Sequence, residues 1–89
     1  MQKTSLNNGH DLNGHDLDKA QAVVRLVAHT LGKAQDEIGA DASMANTPAW
    51  DSFEHMNICL AFEQKFGVKL TMDNIISATS INALADLVP

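Results

Sequence analysis

The chain of 89 residues is long enough for one small domain, and its apolar fraction of 45% is typical of a folded protein. A domain of this size leaves little room for a deep, enclosed active site, which disfavours an enzyme. Eleven acidic residues against six Lys and Arg give a formal charge of −5, which disfavours nucleic acid and membranes as partners and favours a basic protein surface.

Targeting signals are not evident in the chain. The first residues contain no apolar segment of the kind found in signal peptides, and no window has the length of a membrane span. Cys59 is the single cysteine, so an internal disulfide is excluded. We therefore expect a cytoplasmic monomer. Met1 and the end soon after the last helix suggest a free-standing protein, but an excised module of a larger synthase has the same pattern.

Residues 1–15 are predicted to be a flexible polar leader, and residues 16–89 the folded domain. The leader contains the pentapeptide NGHDL at 8–12, and a second copy at 13–17 overlaps the domain start. One interpretation is a small metal site, formed by His10, Asp11, His15 and Asp16. The favoured interpretation is a duplicated, disordered segment without metal, because an unanchored chain would have to order itself around the ion.

The first helix is predicted from apolar residues at helical spacing, which are Leu17, Ala20, Val24, Val27 and Leu31. It is expected to begin near Asp16, with Asp16 or Asp18 as its cap, and to end at Gly32 in the left-handed conformation. His29 lies among polar neighbours and is predicted to be solvated.

A long loop is predicted for residues 33–51, which have no sustained periodicity. Ile38, Met44 and Trp50 are its expected anchors on the core. A loop of this length in a small domain is often functional.

The second helix is predicted to have Asp51 as its N-cap, Ser52 as its first residue and Gly67 just beyond its end. The segment VKLT, residues 68–71, is expected to be an extended connector. Thr71 and Ser80 are then predicted to cap one short helix and a final helix. The predicted fold class is all-α, a small four-helix bundle with a long first connection and a short third helix.

The second helix has apolar residues on two opposite sides, at about 100° per residue. The inner face consists of Ile58, Cys59, Phe62 and Phe66; the outer face consists of Phe53, Met56 and Leu60. A helix packed only in its own bundle needs one apolar face. The outer face is either covered by the long loop or a docking surface, and the flexible Met56 beside Ser52 favours docking. Cys59 is predicted to be buried and inert.

Ser52 has two possible chemical roles besides helping the helix to begin. A hydrolytic nucleophile needs a base and an oxyanion hole. His55 is near in sequence but is predicted to lie towards Phe62 and Phe66, and no GxSxG motif is present. Ser52 is better suited to modification by another enzyme, because a phosphodiester on its hydroxyl would lie at a helix N-terminus, which favours anions.

The string DSF…LAFEQKFGVKL, with LG and DEIGADAS before it and TSINALADLV after it, resembles the acyl carrier proteins over about residues 17–88. The resemblance implies a non-enzymatic carrier whose 4'-phosphopantetheine is attached to Ser52, beside Asp51, and holds acyl groups as thioesters. It also implies a partner-binding face, formed by Phe53, Glu54, Met56 and Leu60. The implied partners are a phosphopantetheinyl transferase and acyl-activating, condensing or acyl-transfer enzymes of fatty acid, polyketide or related pathways.

Departures from the family pattern favour a specialised carrier over the housekeeping one. Phe53 replaces the usual leucine, Trp50 stands where glycine or alanine is frequent, and Asn57 replaces a common glutamate. Charges on the second helix are nearly balanced, whereas fatty acid synthesis carriers have a strongly acidic one. The sequence AWDSF also differs from the GG(H/D)S pattern of peptidyl carriers. The alternative function is a helical adaptor that docks partners without a prosthetic group.

Overall fold

The computed structural model describes the backbone of residues 10–89 and the side chains of residues 17–89. It contains four helices, α1 (His10–Leu31), α2 (Ser52–Phe66), α3 (Met72–Ser77) and α4 (Ile81–Ala85), and a 3₁₀ turn at Gln35–Glu37 in the long loop. Within residues 10–89 the only strand-like pairing is an isolated bridge between Ser43 and Ser80. The predicted all-α class is confirmed. None of the helices in this range combines the length and apolar character needed to cross a bilayer.

α1 begins earlier than predicted. It starts at His10, so the expected caps Asp16 and Asp18 are wrong, because both residues lie inside the helix. A single glycine such as Gly14 costs a helix about 1 kcal/mol, which is too little to end it. The division between a leader and a domain at residue 16 stays a prediction. The metal-site interpretation falls on side chains outside the described range.

The other end of α1 agrees with the prediction. Gly32 has a φ of 70°, and the Lys33 amide donates to the Ala28 carbonyl over 2.8 Å, which closes the last turn. His29 is exposed, as expected. Leu17 was predicted to belong to the buried side of the helix but is 62% exposed, because it lies beyond the part of α1 that packs on the bundle.

One hydrophobic core joins α1, α2, α4 and the loop. α1 is the central element, since it packs against both α2 and α4. The buried core residues are Val23, Leu26, Val27, Ala28, Ile38, Ala42, Trp50, Ile58, Phe62, Ala78, Ile81, Leu84 and Ala85. α3 contributes no buried residue of its own.

The long loop is packed on the core through the predicted anchors. Ile38 and Trp50 are buried, and Met44 packs against the core while half-buried. The loop also pairs with the segment before α4, where the Met44 amide donates to the Thr79 carbonyl over 3.0 Å. These contacts leave the loop with little freedom just before α2.

The last helix is shorter than expected. Its cap is Ser80, as predicted, whose hydroxyl accepts a hydrogen bond from the Ala83 amide at 3.1 Å. Regular α-helix ends after five residues. The amides of Leu87 and Val88 then donate to carbonyls three residues before them, so the chain continues in tighter turns.

Candidate functional site

The start of α2 is built as its sequence predicts. Asp51 has an extended backbone, and its side chain accepts a hydrogen bond from the Glu54 amide at 2.8 Å. Its carbonyl accepts the first helical bond, from the His55 amide at 2.8 Å. Asp51 is therefore the N-cap, and Ser52 is the first residue of the helix, exposed to solvent. At the other end, Gly67 has a φ of 66° and ends α2.

The two apolar faces of α2 are confirmed. On the inner face Ile58, Cys59 and Phe62 are buried and Phe66 is half-buried, with its ring centroid 4.7 Å from that of Phe62. On the outer face Phe53 is 73% exposed, Leu60 55% and Met56 47%. The long loop does not cover the outer face, because its own apolar residues turn towards the core.

α3 presents two further exposed apolar side chains that the sequence analysis did not single out. Met72 and Ile76 are each about two-thirds exposed. They are four residues apart and so lie on one side of this short helix. The spacing was visible in the sequence, but it does not distinguish an exposed side from a buried one.

His55 is buried, on the side of α2 that was predicted for it. Its Nδ1 accepts a hydrogen bond from the indole N–H of Trp50 at 3.0 Å. Because an indole N–H can only donate, Nδ1 is unprotonated, and the proton of the neutral ring lies on Nε2. Nε2 then donates to the carbonyl of Ile75 over 2.7 Å. Both nitrogens are engaged away from Ser52, so His55 is not placed to act as its base.

A comparison with protein-family models matches residues 21–88 to the family described as "Phosphopantetheine attachment site". The match covers more than half of the chain, from the middle of α1 to just beyond α4. The chain belongs to this family. Its resemblance to the acyl carrier proteins is thereby confirmed.

Members of the phosphopantetheine attachment-site family are carrier proteins with covalently attached 4'-phosphopantetheine. Such domains interact with a phosphopantetheinyl transferase and with acyl-handling enzymes, and are generally non-catalytic. The start of α2 fits this group. The Ser52 hydroxyl is exposed, and among the described residues no side chain is hydrogen-bonded to it. An anion there also faces the positive end of a helix of 15 residues.

Cys59 lies on the inner face, as predicted, with 2% of its side chain exposed. Burial raises the pKa of its thiol, and the negative charge of Glu63 raises this pKa further. The thiolate is the reactive form of cysteine. A raised pKa and an inaccessible sulfur therefore both make this thiol slow to react.

Proposed function

We propose that this family member carries acyl intermediates as thioesters on a 4'-phosphopantetheine arm attached to Ser52, and presents them to partner enzymes. The observation that carries the proposal is the exposed Ser52 hydroxyl, directly after the Asp51 cap of α2. In the modification the Ser52 oxygen loses its proton and bonds to the phosphorus of the phosphopantetheinyl group of coenzyme A, which gives a phosphodiester. The pyrophosphate bond of coenzyme A breaks, and adenosine 3',5'-bisphosphate is the leaving group. The arm supplies a terminal thiol for the thioester.

The residues around Ser52 determine where the arm is attached and how it leaves the helix. Asp51 fixes the first turn of α2 through its bond to the Glu54 amide, so the hydroxyl has a defined direction. The arm then sweeps a limited volume around the helix start. A group tethered in this way meets a docked enzyme at a high effective concentration.

The outer face is proposed as the surface on which partners dock, with Asp51 and Glu54 contacting basic residues. Exposed apolar residues beside a modification site are typical of a binding surface. Glu63 is less suited to this role, because it lies near the other end of α2, away from Ser52. Asp51 and Glu54 are therefore the acidic residues proposed to meet a partner beside Ser52.

A specialised pathway is favoured for this carrier over housekeeping fatty acid synthesis. α2 contains Glu54, Glu63 and Lys65, so its acidic and basic charges are nearly balanced. Partners that recognise a uniformly acidic helix through basic patches would bind this helix more weakly. Polyketide, lipid-modifying or sugar-modifying enzymes are the proposed partners, and the carrier is proposed to act as a cytoplasmic monomer.

Counting reactive thiols tests the carrier function. The unloaded protein, whose single cysteine is buried, is expected to react slowly with a thiol reagent in buffer and rapidly in denaturant. After incubation with coenzyme A and a phosphopantetheinyl transferase, and purification away from both, it is expected to gain one rapidly reacting thiol. The arm is the only new thiol in that sample, so the assay counts it directly.

Two outcomes of the thiol assay would contradict the account. Rapid reaction of the unloaded folded protein would show that Cys59 is not on a buried face. No additional thiol after treatment with several transferases, on a protein that retains its helical signal, would instead favour the helical adaptor.

Replacing Leu60 with glutamate is expected to reduce kcat/KM for loading by the transferase about tenfold or more. The change places a charge in the centre of the outer face, where a docked partner would have to desolvate it. Because Leu60 is exposed, the free energy of unfolding is expected to change by less than about 1 kcal/mol. Steady-state loading rates at several carrier concentrations check this prediction.

Gln21→Glu is the matched control for Leu60→Glu, since it introduces the same charge at an exposed position of α1. Gln21 lies on a different helix from the outer face, so this variant is expected to be loaded at nearly the wild-type rate. Equal losses of kcat/KM in both variants would show that the added net charge, and not the outer face, causes the slower loading. No loss in Leu60→Glu would remove the outer face from transferase docking.

A further inference from the structure

α3 is the helix of the bundle with the least support of its own. It has six residues, none of them buried, and Met72 and Ile76 are mostly exposed. A helix this short is unstable by itself in water, because few hydrogen bonds offset the cost of nucleation. The position of α3 therefore depends on the hydrogen bonds at its two ends.

The N-terminal end of α3 is stabilised locally. The Thr71 hydroxyl accepts a hydrogen bond from the Asn74 amide at 3.0 Å, and the Asn74 side chain accepts one from the Thr71 amide at 3.2 Å. This reciprocal pair is a capping box, which satisfies two amide donors. The contact from α2 nearest to this end is the hydrogen bond between Glu63 and the Leu70 amide, one residue before the cap.

The C-terminal end of α3 is completed by α2. The Ile75 carbonyl is among the last four of the helix, which have no partner within it. The amides that follow do not reach this carbonyl: that of Ala78 donates to Asn74 and that of Thr79 donates to Ser77. The donor is instead His55 Nε2, at 2.7 Å. A buried side chain of α2 thus caps α3.

The same imidazole holds the segment that leads to Ser52. Its Nδ1 accepts the indole N–H of Trp50, a fully buried residue two positions before Ser52. Displacing α3 removes the carbonyl acceptor of Nε2 and leaves it only the Cys59 sulfur, a weak acceptor 3.6 Å away on the same helix. The ring then loses the stronger of the two contacts of Nε2, which weakens the alignment of Nδ1 towards Trp50.

We propose that His55 is a positioning residue that couples α3 to the segment Trp50–Ser52, so that a partner which displaces α3 also changes how Ser52 is presented. The functional consequence rests on the proposed attachment at Ser52. The coupling itself does not, since it follows from the hydrogen bonds that one buried ring makes to Trp50 and to Ile75.

The test is hydrogen exchange in the unloaded protein, measured by NMR. Trp50 is the only tryptophan, so its indole N–H gives a single resonance. Thr71→Ala removes the cap of α3 and is expected to speed exchange of the α3 amides about fivefold. Through His55 it is expected to speed exchange of the Trp50 indole N–H by a similar factor, although the two residues are not in contact.

His55→Asn removes the link selectively. The asparagine carbonyl oxygen takes the place of Nδ1 as acceptor for Trp50, but no atom replaces Nε2. In this background Thr71→Ala is expected to speed exchange in α3 while leaving the indole unchanged. The proposal would be overturned if Thr71→Ala left the exchange rate of the Trp50 indole N–H unchanged in the wild-type background. It would also be overturned if Thr71→Ala raised that rate equally with and without His55.

Ser80→Ala is the matched control, because it removes the same kind of cap from α4, which His55 does not touch. It is expected to leave indole exchange unchanged, and an equal acceleration would show general loosening instead of coupling. The comparison of Thr71→Ala with Ser80→Ala tests the coupling of α3 to Trp50 even if His55→Asn fails to fold. Since no loading step is involved, failure of the coupling and failure of attachment at Ser52 are separate results.

Discussion

Replacing Ser52 with alanine is expected to abolish loading with phosphopantetheine, because the exposed hydroxyl at the start of α2 is the proposed point of attachment. Stability is expected to change little. The cap of α2 is Asp51, whose bond to the Glu54 amide does not involve the serine side chain. We expect the free energy of unfolding to stay within about 0.5 kcal/mol of the wild-type value.

Intact mass after incubation with coenzyme A and a transferase measures the effect, with urea unfolding in parallel. Ser77→Ala is the matched control, since Ser77 is also an exposed helical serine and its hydroxyl donates to the Asp73 carbonyl over 2.7 Å. This control is expected to gain one phosphopantetheinyl group. If Ser52→Ala unfolded, the serine would have a structural role that its exposure does not explain.

Replacing Phe62 with alanine is expected to lower the free energy of unfolding by about 3–5 kcal/mol. Phe62 is completely buried on the inner face and packs against the ring of Phe66. Its removal leaves a cavity that the surrounding helices fill only in part. For a small domain, whose total stability is roughly 5–15 kcal/mol, this is a severe loss. Urea unfolding followed by circular dichroism gives the value.

Phe53→Ala is the matched comparison, with the same change on the same helix. Phe53 is 73% exposed, so the expected loss is within about 0.5 kcal/mol. Similar losses at both positions would contradict the assignment of the two faces. A large difference would show that the exposed side chain of Phe53 contributes little to the stability of the fold, as expected of a docking residue.

Local chemistry explains why α2 was predicted well from sequence. Asp51 and Gly67 are residue types that suit the two ends of a helix, and each acts within a few residues of its own position. The spacing of Phe53, Ile58 and Phe62 separates two faces without knowledge of any other element. The caps Thr71 and Ser80 were predictable for the same reason.

The errors arose where local signals are weak or tertiary contacts decide. Asp16 is a good capping residue, but no residue from His10 to Asp16 is a strong helix breaker, so α1 includes this segment. The last helix tightens after Ala85, which its apolar spacing does not reveal. The hydrogen bond from His55 to Ile75 joins residues 20 apart in sequence and has no local signature. That contact appears only once α2 and α3 are placed together.

Fragmentation mass spectrometry of the loaded wild-type protein tests the central claim most directly, because it locates the added group on one residue. The account predicts a single phosphopantetheinyl group on Ser52, with the other serines unmodified. A group found on another residue, or no added group on a folded protein, would contradict it.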